Sequence, residues 1–319
     1  MKHKISRLFW IFCLLATLPF SVYMAARVPM PANSLDTVWT SKKSDDGINI
    51  LLTGDIMLGR YIETLRAKKG GDFPFSNMPE IITTAKSLLK VDTLDIVAGN
   101  LEGPITDKQI AYGDMTFIFK PETAALLKKV GFTTLNLANN HTFNQGRSAY
   151  TETRTALTQV GISPFGKPDE VSREFSFTSY NFDGESLGFL GIDDVDFKMD
   201  KDAAINLIKE LSQEVDTLIV SIHWGTEYVK TASTSITETA HDFVDAGADM
   251  IWGHHPHVVQ NSEIYNGAPI YYSLGNFVFD QYWSQETQKG LTLAVKVQDG
   301  EVSAYEIPVN LVNGGEPHS

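Results

Sequence analysis

The sequence predicts an α/β fold built on a mixed sheet or on two sheets packed together. Apolar, strand-like runs alternate along the chain with segments whose apolar residues recur at helical spacing, which favours layers of helices on sheets. Two further segments, Phe175–Asp193 and Leu291–Leu311, hold an Asp-Gly pair between alternating runs, which is typical of β-hairpins. Because hairpin strands are antiparallel, these segments argue against a purely parallel sheet.

The first 27 residues differ from the rest of the chain. Three basic residues precede an uncharged, mostly apolar stretch from Leu8 to Ala26, which is long enough for a short transmembrane helix of roughly 17–25 residues. The preceding positive charges predict a cytoplasmic N-terminus and an exported main domain, and thus a single-pass protein of the cell membrane. A cleaved signal peptide is the alternative, but the apolar stretch is long for one and lacks a good small-residue cleavage pattern.

Charge and cysteine content narrow the functional classes. The chain of 319 residues has a formal net charge of -13, and its first 27 residues hold four Lys or Arg and no Asp or Glu, which leaves -17 for residues 28–319. Such a domain repels nucleic acid, so we expect no nucleic-acid partner. The only cysteine, Cys13, lies in the apolar stretch, so the exported part has no disulfide and depends on core packing.

Composition also predicts the boundaries of the folded domain. Residues 28–47 are rich in Pro, Ser, Asp and Lys without periodicity, which predicts a linker. We expect the domain to span residues 48–312 and residues 313–319 to form a flexible tail. Within the domain, helical spacing predicts five helices, two of which begin with proline and three of which end just before a glycine: Pro79–Lys90, Pro121–Val130, Ser148–Val160, Asp202–Gln213 and Thr234–Ala246.

Five apolar runs end abruptly in polar or metal-binding residue types. In sheets flanked by helices, functional groups gather beyond the carboxyl ends of the strands, so these runs should deliver their last residues to one edge. A metal site assembled from distant parts of the sequence follows from that arrangement. The runs are Asn49–Asp55, Asp95–Glu102, Thr133–His141, Leu218–Gly225 and Met250–His257.

The histidines give the strongest signal for a metal. Residues 254–257 hold three imidazoles and a proline in four positions, an arrangement with few structural uses that suits a transition metal. In an extended segment His255 and His257 would point to the same side, so we take this pair as ligands and keep His254 as an alternative. His223 ends a strand that should be buried on both faces, where a core histidine with satisfied hydrogen bonds is equally expected.

Oxygen and amide donors complete the predicted site. Asp55 is a candidate ligand, although aspartate at a strand end also commonly caps a helix. Glu102, Asn100 and Asn140 are further candidates, and each taken alone also fits an ordinary turn. This mixture of oxygen and nitrogen donors suits Mn²⁺, Fe²⁺ or Zn²⁺, and the cluster is large enough for one or two ions.

Two residues are expected to act on a substrate. A pair of ions could activate a water molecule and clamp a phosphoryl group, and His141, next to Asn140, could then protonate the leaving oxygen. Arg60 could hold an anionic group, although an ordinary surface arginine is as consistent with its position. The chain has no glycine-rich nucleotide loop and no nucleophile elbow, which argues against a nucleotide-binding protein or a serine hydrolase.

Six short motifs occur in order along the predicted domain: GDIMLGR (54–60), GNLEGPIT (99–106), LANNHTFNQG (137–146), HWGTEY (223–228), DAGADMIWGHHPHVVQ (245–260) and YYSLGNFVFDQ (271–281). Through these motifs the chain resembles the CapA/PgsA family of capsule and poly-γ-glutamate synthesis proteins over about residues 48–311. The resemblance implies an N-terminal anchor with the domain outside the cell, which agrees with the expectation from the first 27 residues.

The domain of that family is similar to the calcineurin-like metallophosphoesterases. The resemblance therefore implies a four-layer α/β/β/α sandwich with a dimetal site. Carried over by position, Asp55 corresponds to the first aspartate ligand, Asn140 and His141 to the Asn-His pair of ligand and acid, and His223 to the next metal histidine. Two of the three histidines in residues 254–257 correspond to the closing pair.

Three positions depart from these patterns. Met57 stands where phosphoesterases usually have a histidine, and Asn100 stands at their bridging aspartate, so Glu102 is the only nearby carboxylate that could replace the bridge. The sequence is therefore consistent with a site for one metal ion as well as with a site for two. Asn144 occupies a position where the capsule family commonly has aspartate, and an amide cannot supply that negative charge.

The expected function follows from the resemblance. It is a membrane-anchored, extracytoplasmic protein for synthesis or export of an anionic capsule polymer, with poly-γ-glutamate as the first candidate. The implied partners are membrane capsule-synthase or export subunits and the polymer itself. Two alternatives remain, an active metal-dependent hydrolase of the cell envelope and a non-catalytic assembly subunit.

Overall fold

Helices and strands alternate through the computed structural model, which describes residues 38–41 and 47–319. The helices of these residues are α1 (Arg60–Lys69), α2 (Met78–Leu89), α3 (Thr123–Lys129), α4 (Gly146–Gln159), α5 (Arg173–Ser176), α6 (Lys201–Leu211) and α7 (Thr234–Asp245). The strands are β1 (Val38–Ser41), β2 (Ile48–Ile56), β3 (Ile96–Leu101), β4 (Thr134–Asn136), β5 (Ser163–Phe165), β6 (Phe177–Phe182), β7 (Glu185–Asp193), β8 (Thr217–His223), β9 (Met250–His254), β10 (Ser262–Tyr265), β11 (Ala268–Tyr271), β12 (Asn276–Val278), β13 (Lys289–Gln298), β14 (Glu301–Val312) and β15 (Glu316–His318).

The five helices predicted from spacing all form, and their ends are confirmed to within two residues. Local capping explains two of the starts. The Asp200 side chain accepts the Ala203 N–H at the start of α6, and Ser233 accepts the Ile236 N–H at the start of α7. Helix α1 was not predicted, because only Ile62 among its residues is buried and its sequence carries a weak apolar stripe.

The strands form two mixed sheets, as the hairpin signals indicate. One sheet has the order β1-β6-β7-β8-β9-β11-β10, and the other has β15-β14-β13-β2-β3-β4-β5 with β12 paired to β2. Both predicted hairpins are confirmed, β6 with β7 and β13 with β14. Their Asp-Gly turns have positive φ at both central residues, 51° and 99° in one and 54° and 78° in the other, which is the type I′ geometry that follows the twist of antiparallel strands.

Three apolar clusters hold the layers together. The first joins α1–α4 to one face of the β2 sheet, for example through Ile81 and Leu51. The second lies between the two sheets, where Leu52 packs in the same cluster as Trp252. The third joins α6 and α7 to the outer face of the β8 sheet, with Phe243 and Val220 among its members. The layers therefore run helix, sheet, sheet, helix.

The central strands of each sheet are parallel. Strands β2, β3, β4 and β5 run in one direction within their sheet, and β7, β8 and β9 run in one direction within theirs. The chain just before β12 lies close against β2 within the same sheet. A Cβ on Gly54 would lie 2.1 Å from the carbonyl oxygen of Gly275, so only glycine fits in β2 beside Asp55.

The domain boundaries differ from the sequence expectation at both ends. Val38–Ser41 lies in the segment expected to be a linker, yet it pairs with β6 as an edge strand. The expectation of a flexible tail is wrong for β15, which pairs with β14 and buries Glu316. Both segments are ordered by backbone pairing with a neighbouring strand, because a strand can add to a sheet edge with little apolar patterning of its own.

The membrane anchor predicted over residues 1–27 lies outside the described residues. Among those that the structure describes, no helix combines the length and apolar character that crossing a bilayer requires.

Candidate metal centre

Polar side chains from both sheets meet where four parallel strands end. Asp55 and Asn100 are register partners near the ends of β2 and β3, and His223 and His254 are partners at the ends of β8 and β9. All four residues are buried. The convergence that the sequence predicts is therefore present, and it lies at the carboxyl edge of both sheets.

Asp55 is the centre of this cluster. Its Oδ1 accepts hydrogen bonds from Asn100 Nδ2 at 2.8 Å and His254 Nδ1 at 2.9 Å, and its Oδ2 accepts one from the His255 backbone N–H at 3.3 Å. Although burial alone would raise the pKa of Asp55, hydrogen bonds from His254 and His257 hold it well below its usual value. Asp55 is therefore ionised at neutral pH, the state in which a carboxylate binds a cation.

Glu102, directly after β3, is the least satisfied group of the site. It is fully buried, and within the described residues neither carboxylate oxygen has a hydrogen-bond partner. The Nε2 atoms of His141 and His257 each lie 3.6 Å from its Oε1, too far for a hydrogen bond. Burial raises the pKa of Glu102 to about 8. A bound cation would satisfy this carboxylate, whose isolation is otherwise costly.

His257 is held in position by a chain of amides. Its Nδ1 lies 3.0 Å from Asn276 Oδ1, while Asn276 Nδ2 donates to Gln281 Oε1 at 3.0 Å and to the Thr287 carbonyl at 2.9 Å. Because the Asn276 oxygen must accept, His257 donates through Nδ1 and its Nε2 faces Glu102. Burial alone would lower the pKa of His257, but the carboxylates of Glu102 and Asp55 raise it to about 9.

Asp55, Glu102 and His257 together fit a divalent cation. One ligand atom from each lies within 4.8 Å of the other two, a spacing that a small contraction around the ion would convert to ligand bonds of about 2.0–2.2 Å. Two carboxylates and an imidazole suit Mn²⁺, Fe²⁺ or Zn²⁺. The case for a cation does not rest on residue types alone, because both carboxyl oxygens of Glu102 are buried without a partner among the described residues.

We refer to the space between Asp55, Glu102 and His257 as the cation cup. His223 and Asn140 belong to a hydrogen-bonded amide network beside it. His223 Nε2 lies 3.0 Å from Asn140 Oδ1, and its Nδ1 lies 3.3 Å from Asn100 Nδ2. Asn100 Oδ1 accepts from two further asparagines, so its Nδ2 is the donor to His223. Burial lowers the pKa of His223 well below its usual value and keeps the ring neutral. His223 could bind a cation only if one of these two contacts opened, whereas the oxygen of Asn140 keeps a second lone pair.

The segment after β9 turns instead of continuing as a strand. His255 has φ 95° and His257 has φ 57°, values that residues with a side chain rarely adopt. The expectation of an extended segment is therefore wrong, although the turn still brings the two rings to a centroid distance of 5.9 Å. His254 stays in the strand and donates to Asp55, with no partner for its Nε2 among the described residues.

His141 faces Glu102 from the loop after β4. Its Nδ1 lies 2.9 Å from Asn144 Oδ1, which also accepts the Phe117 backbone N–H at 2.7 Å. The imidazole therefore donates through Nδ1, and its Nε2 carries the lone pair. Burial lowers the pKa of His141 to about 4. At neutral pH the ring is therefore unprotonated at Nε2, so the acid role expected from the sequence requires that it first take up a proton.

Arg60 is already engaged by protein groups. It forms an ion pair with Asp280, donates to the Asp114 carbonyl at 2.9 Å and lies 4.7 Å above the centroid of the Phe117 ring. These contacts support a structural role for Arg60. The guanidinium of Arg60 would have to leave Asp280 before it could hold a substrate anion.

The departures at Met57 and Asn100 have a structural explanation. Met57 is fully buried in the first apolar cluster, and its sulfur accepts the Gly59 N–H at 3.2 Å. Asn100 is neutral and fully hydrogen-bonded. Both side chains are thus committed to packing and to amide contacts.

Three site residues escaped the sequence reasoning. Asn276 orients His257, Glu227 lies near His255 and His257, and Asp193 ends β7 as the register partner of His223. Asn276 and Glu227 lie inside two of the six motifs, which could have singled them out. Asp193 ends an apolar run as the other candidates do, but it lies at the end of a segment interpreted only as a hairpin.

Comparison with known proteins places these residues in context. The family model described as "Bacterial capsule synthesis protein PGA_cap" matches residues 49–281, a range that includes the whole cluster. The PGA biosynthesis protein CapA of Bacillus subtilis (strain 168) is 33% identical over 82% of this chain and 71% of its own length. The capsule biosynthesis protein CapA of Bacillus anthracis is 29% identical over 85% of this chain and 69% of its own.

A solved structure shares the fold. The crystal structure of a novel phosphatase from Mycoplasma pneumoniae matches 83% of this chain and 94% of its own, with a TM-score of 0.54 and 14% identity. At that identity the likeness concerns the fold alone.

Proposed function

Because this chain belongs to the PGA_cap family of bacterial capsule synthesis proteins, we propose that it assists the synthesis or export of an anionic capsule polymer, with poly-γ-glutamate as the first candidate. The names of the two Bacillus relatives, one for PGA biosynthesis and one for capsule biosynthesis, support this choice. The sequence has no nucleotide-binding loop, so energy and polymerisation would come from partner subunits of a membrane synthase.

We place the protein at the cell membrane with its domain outside the cytoplasm. Support comes from the basic residues and the apolar stretch of residues 1–27. Comparing the distribution of the full chain with that of a chain lacking residues 1–27 tests this placement. Release of the shortened domain from membranes, with retention of the full chain, is expected. Equal release of both would contradict an anchor.

The buried, unpartnered carboxylate of Glu102 carries the proposed site chemistry. Asp55, Glu102 and His257 would hold a divalent cation, which would supply a positive charge for a carboxylate or phosphate oxygen in an otherwise acidic protein. The surrounding residues prepare the cup: Asn276 orients His257, and Asn144 leaves His141 with a free lone pair towards Glu102. Because its pKa is lowered to about 4, His141 would be neutral and would present this lone pair towards the cation site.

Among the alternatives, the non-catalytic assembly subunit has a specific observation in its favour. Met57 and Asn100 occupy phosphoesterase ligand positions with groups that are packed or fully hydrogen-bonded. A two-metal displacement needs both positions. A single cation would suit the binding of an anionic polymer better than hydrolysis of a phosphoester.

Capsule formation in a strain lacking the gene tests the proposal directly. Full-length protein carrying Asp55→Ala or His257→Ala should fail to restore capsule at normal protein level, while Glu238→Gln, an exposed change on α7, should restore it. Restoration of the capsule by Asp55→Ala would show that the function does not need the cation site. Purified protein with Mn²⁺ should leave a generic phosphodiester intact, and turnover would favour the hydrolase.

A further inference from the structure

Glu227, in the loop after β8, lies at the outer side of the cation cup. It is half-buried between two exposed residues, whereas Asp55 and Glu102 are fully buried. One of its carboxylate oxygens lies within 4.8 Å of a ring nitrogen of His255 and of His257. None of the roles assigned above involves this carboxylate.

Two sets of ligand atoms therefore share one histidine. Asp55 and Glu102 form the inner set with His257, and Glu227 and His255 form the outer set with the same residue. Because His257 Nδ1 faces the accepting oxygen of Asn276, a metal would bind its Nε2 after displacing the proton there. One lone pair binds one cation, so the two sets describe opposite sides of a single cup.

His255 supplies an independent indication of a ligand. The residue is only 5% exposed, and its Nδ1 has no hydrogen-bond partner among the described residues. A buried ring nitrogen without a partner is unfavourable unless something else satisfies it. The left-handed backbone of His255, with φ 95°, adds to this cost. The residue beside Glu227 is thus unsatisfied in the same way as Glu102 on the inner side.

We propose that Glu227 is a ligand of the cation in this cup and, with His255, closes it on the solvent side. This inference rests on the proposed function, since it concerns the cation held by Asp55, Glu102 and His257. It adds a third carboxylate and a second imidazole, a set rich in oxygen that suits six-coordinate Mn²⁺ or Co²⁺ better than tetrahedral Zn²⁺.

Binding of Co²⁺ to the full-length protein, measured by calorimetry and by the visible absorption of the bound ion, tests the proposal. Glu227→Gln should lower the affinity for Co²⁺ at least about 10-fold and should change the absorption spectrum, because the coordination of the ion changes. Glu238→Gln removes the same charge from the exposed face of α7 and should change neither. Circular dichroism checks that each variant is folded.

Each other outcome decides against the proposal. Unchanged affinity in Glu227→Gln, or weaker binding with an unchanged spectrum, would show that Glu227 acts at most through its charge and would overturn the ligand role. If Asp55→Asn still abolished binding in that case, the proposed cation site would stand without Glu227. If the folded wild-type protein bound no Co²⁺, both the cation site and this inference would fail together.

Discussion

The two inner carboxylates should respond oppositely to conversion into amides when no cation is present. Glu102 has no hydrogen bond to lose, burial already favours its neutral form by raising its pKa to about 8, and glutamine has nearly the same shape. We expect Glu102→Gln to change the free energy of unfolding of the cation-free protein by less than about 1 kcal/mol, or to raise it, since hydrogen-bond loss is the usual source of larger effects.

Asp55→Asn should instead destabilise the cation-free protein. The substitution places an NH₂ group where a carboxylate accepts from Asn100, His254 and the His255 backbone. Hydrogen bonds to charged groups contribute about 1.5–3 kcal/mol each, so the loss should be about 3 kcal/mol or more. The contrast arises because one carboxylate is satisfied by the protein and the other is not.

In their response to added cation the two variants should be alike, because each lacks one ligand. A ligand at 100 times its Kd stabilises the native state by about 2.7 kcal/mol. Wild-type protein and Glu238→Gln should gain that amount in Mn²⁺ relative to EDTA, whereas Glu102→Gln and Asp55→Asn should gain almost nothing.

Urea unfolding followed by circular dichroism, in Mn²⁺ and in EDTA, measures the free energy of unfolding of all four proteins. Full Mn²⁺-dependent stabilisation of Glu102→Gln would mean that Glu102 is not a ligand. If Glu102→Gln lowered the free energy of unfolding in EDTA as much as Asp55→Asn does, Glu102 would have a strong partner. That result would refute the reasoning from its unpartnered oxygens.

Three further predictions concern the surroundings of the cup. Asn144→Leu should cost about 1–3 kcal/mol in urea unfolding, because the Phe117 N–H and the His141 Nδ1–H lose their acceptor; Asn144→Asp, which keeps an acceptor, should cost less. Burial raises the pKa of Asp193 to about 8 from its usual 3.8, so its contribution to stability is greatest at low pH and is lost as the pH rises towards 8. Asp193→Asn should therefore flatten the loss of stability between pH 6 and 8, measured as unfolding free energy across that range, and an unchanged slope would contradict the buried carboxyl. Gly54→Ala should destabilise by about 1–3 kcal/mol or more, because its Cβ would lie 2.1 Å from the Gly275 carbonyl; thermal unfolding at the wild-type temperature would contradict that contact.

Much of the fold could be predicted because its signals are local. Helical spacing predicts α7, and the Asp-Gly pairs predict both hairpins, since each depends on residues close in sequence. Strands β1 and β15 could not be predicted in this way. Each is short and gains its stability by pairing with a distant strand, a contact that leaves little pattern in its own residues.

The site was predictable in its place but not in its detailed bonding. Strand ends bring Asp55 and His223 to one edge whatever their exact roles. Whether a nitrogen is free depends on partners that the sequence does not reveal. His223 has both nitrogens in contact with amides, whereas His255 keeps an unpartnered Nδ1 because the chain turns at that residue. Side-chain type predicts a possible ligand, and only the hydrogen-bond network shows which ligand is available.

The uneven satisfaction of polar groups locates the functional half of the cluster. On one side Met57 and Asn100 are packed or fully hydrogen-bonded, and this side needs nothing more from solvent or ligand. On the other side Glu102 and His255 bury polar atoms without partners, each at a cost of about 1–3 kcal/mol or more. A purely structural core would be more stable with apolar residues at these two positions. Both residues belong to the sets of possible metal ligands, so a bound cation best explains why their polar groups are buried without partners, and substitutions of these residues should affect binding before they affect the fold.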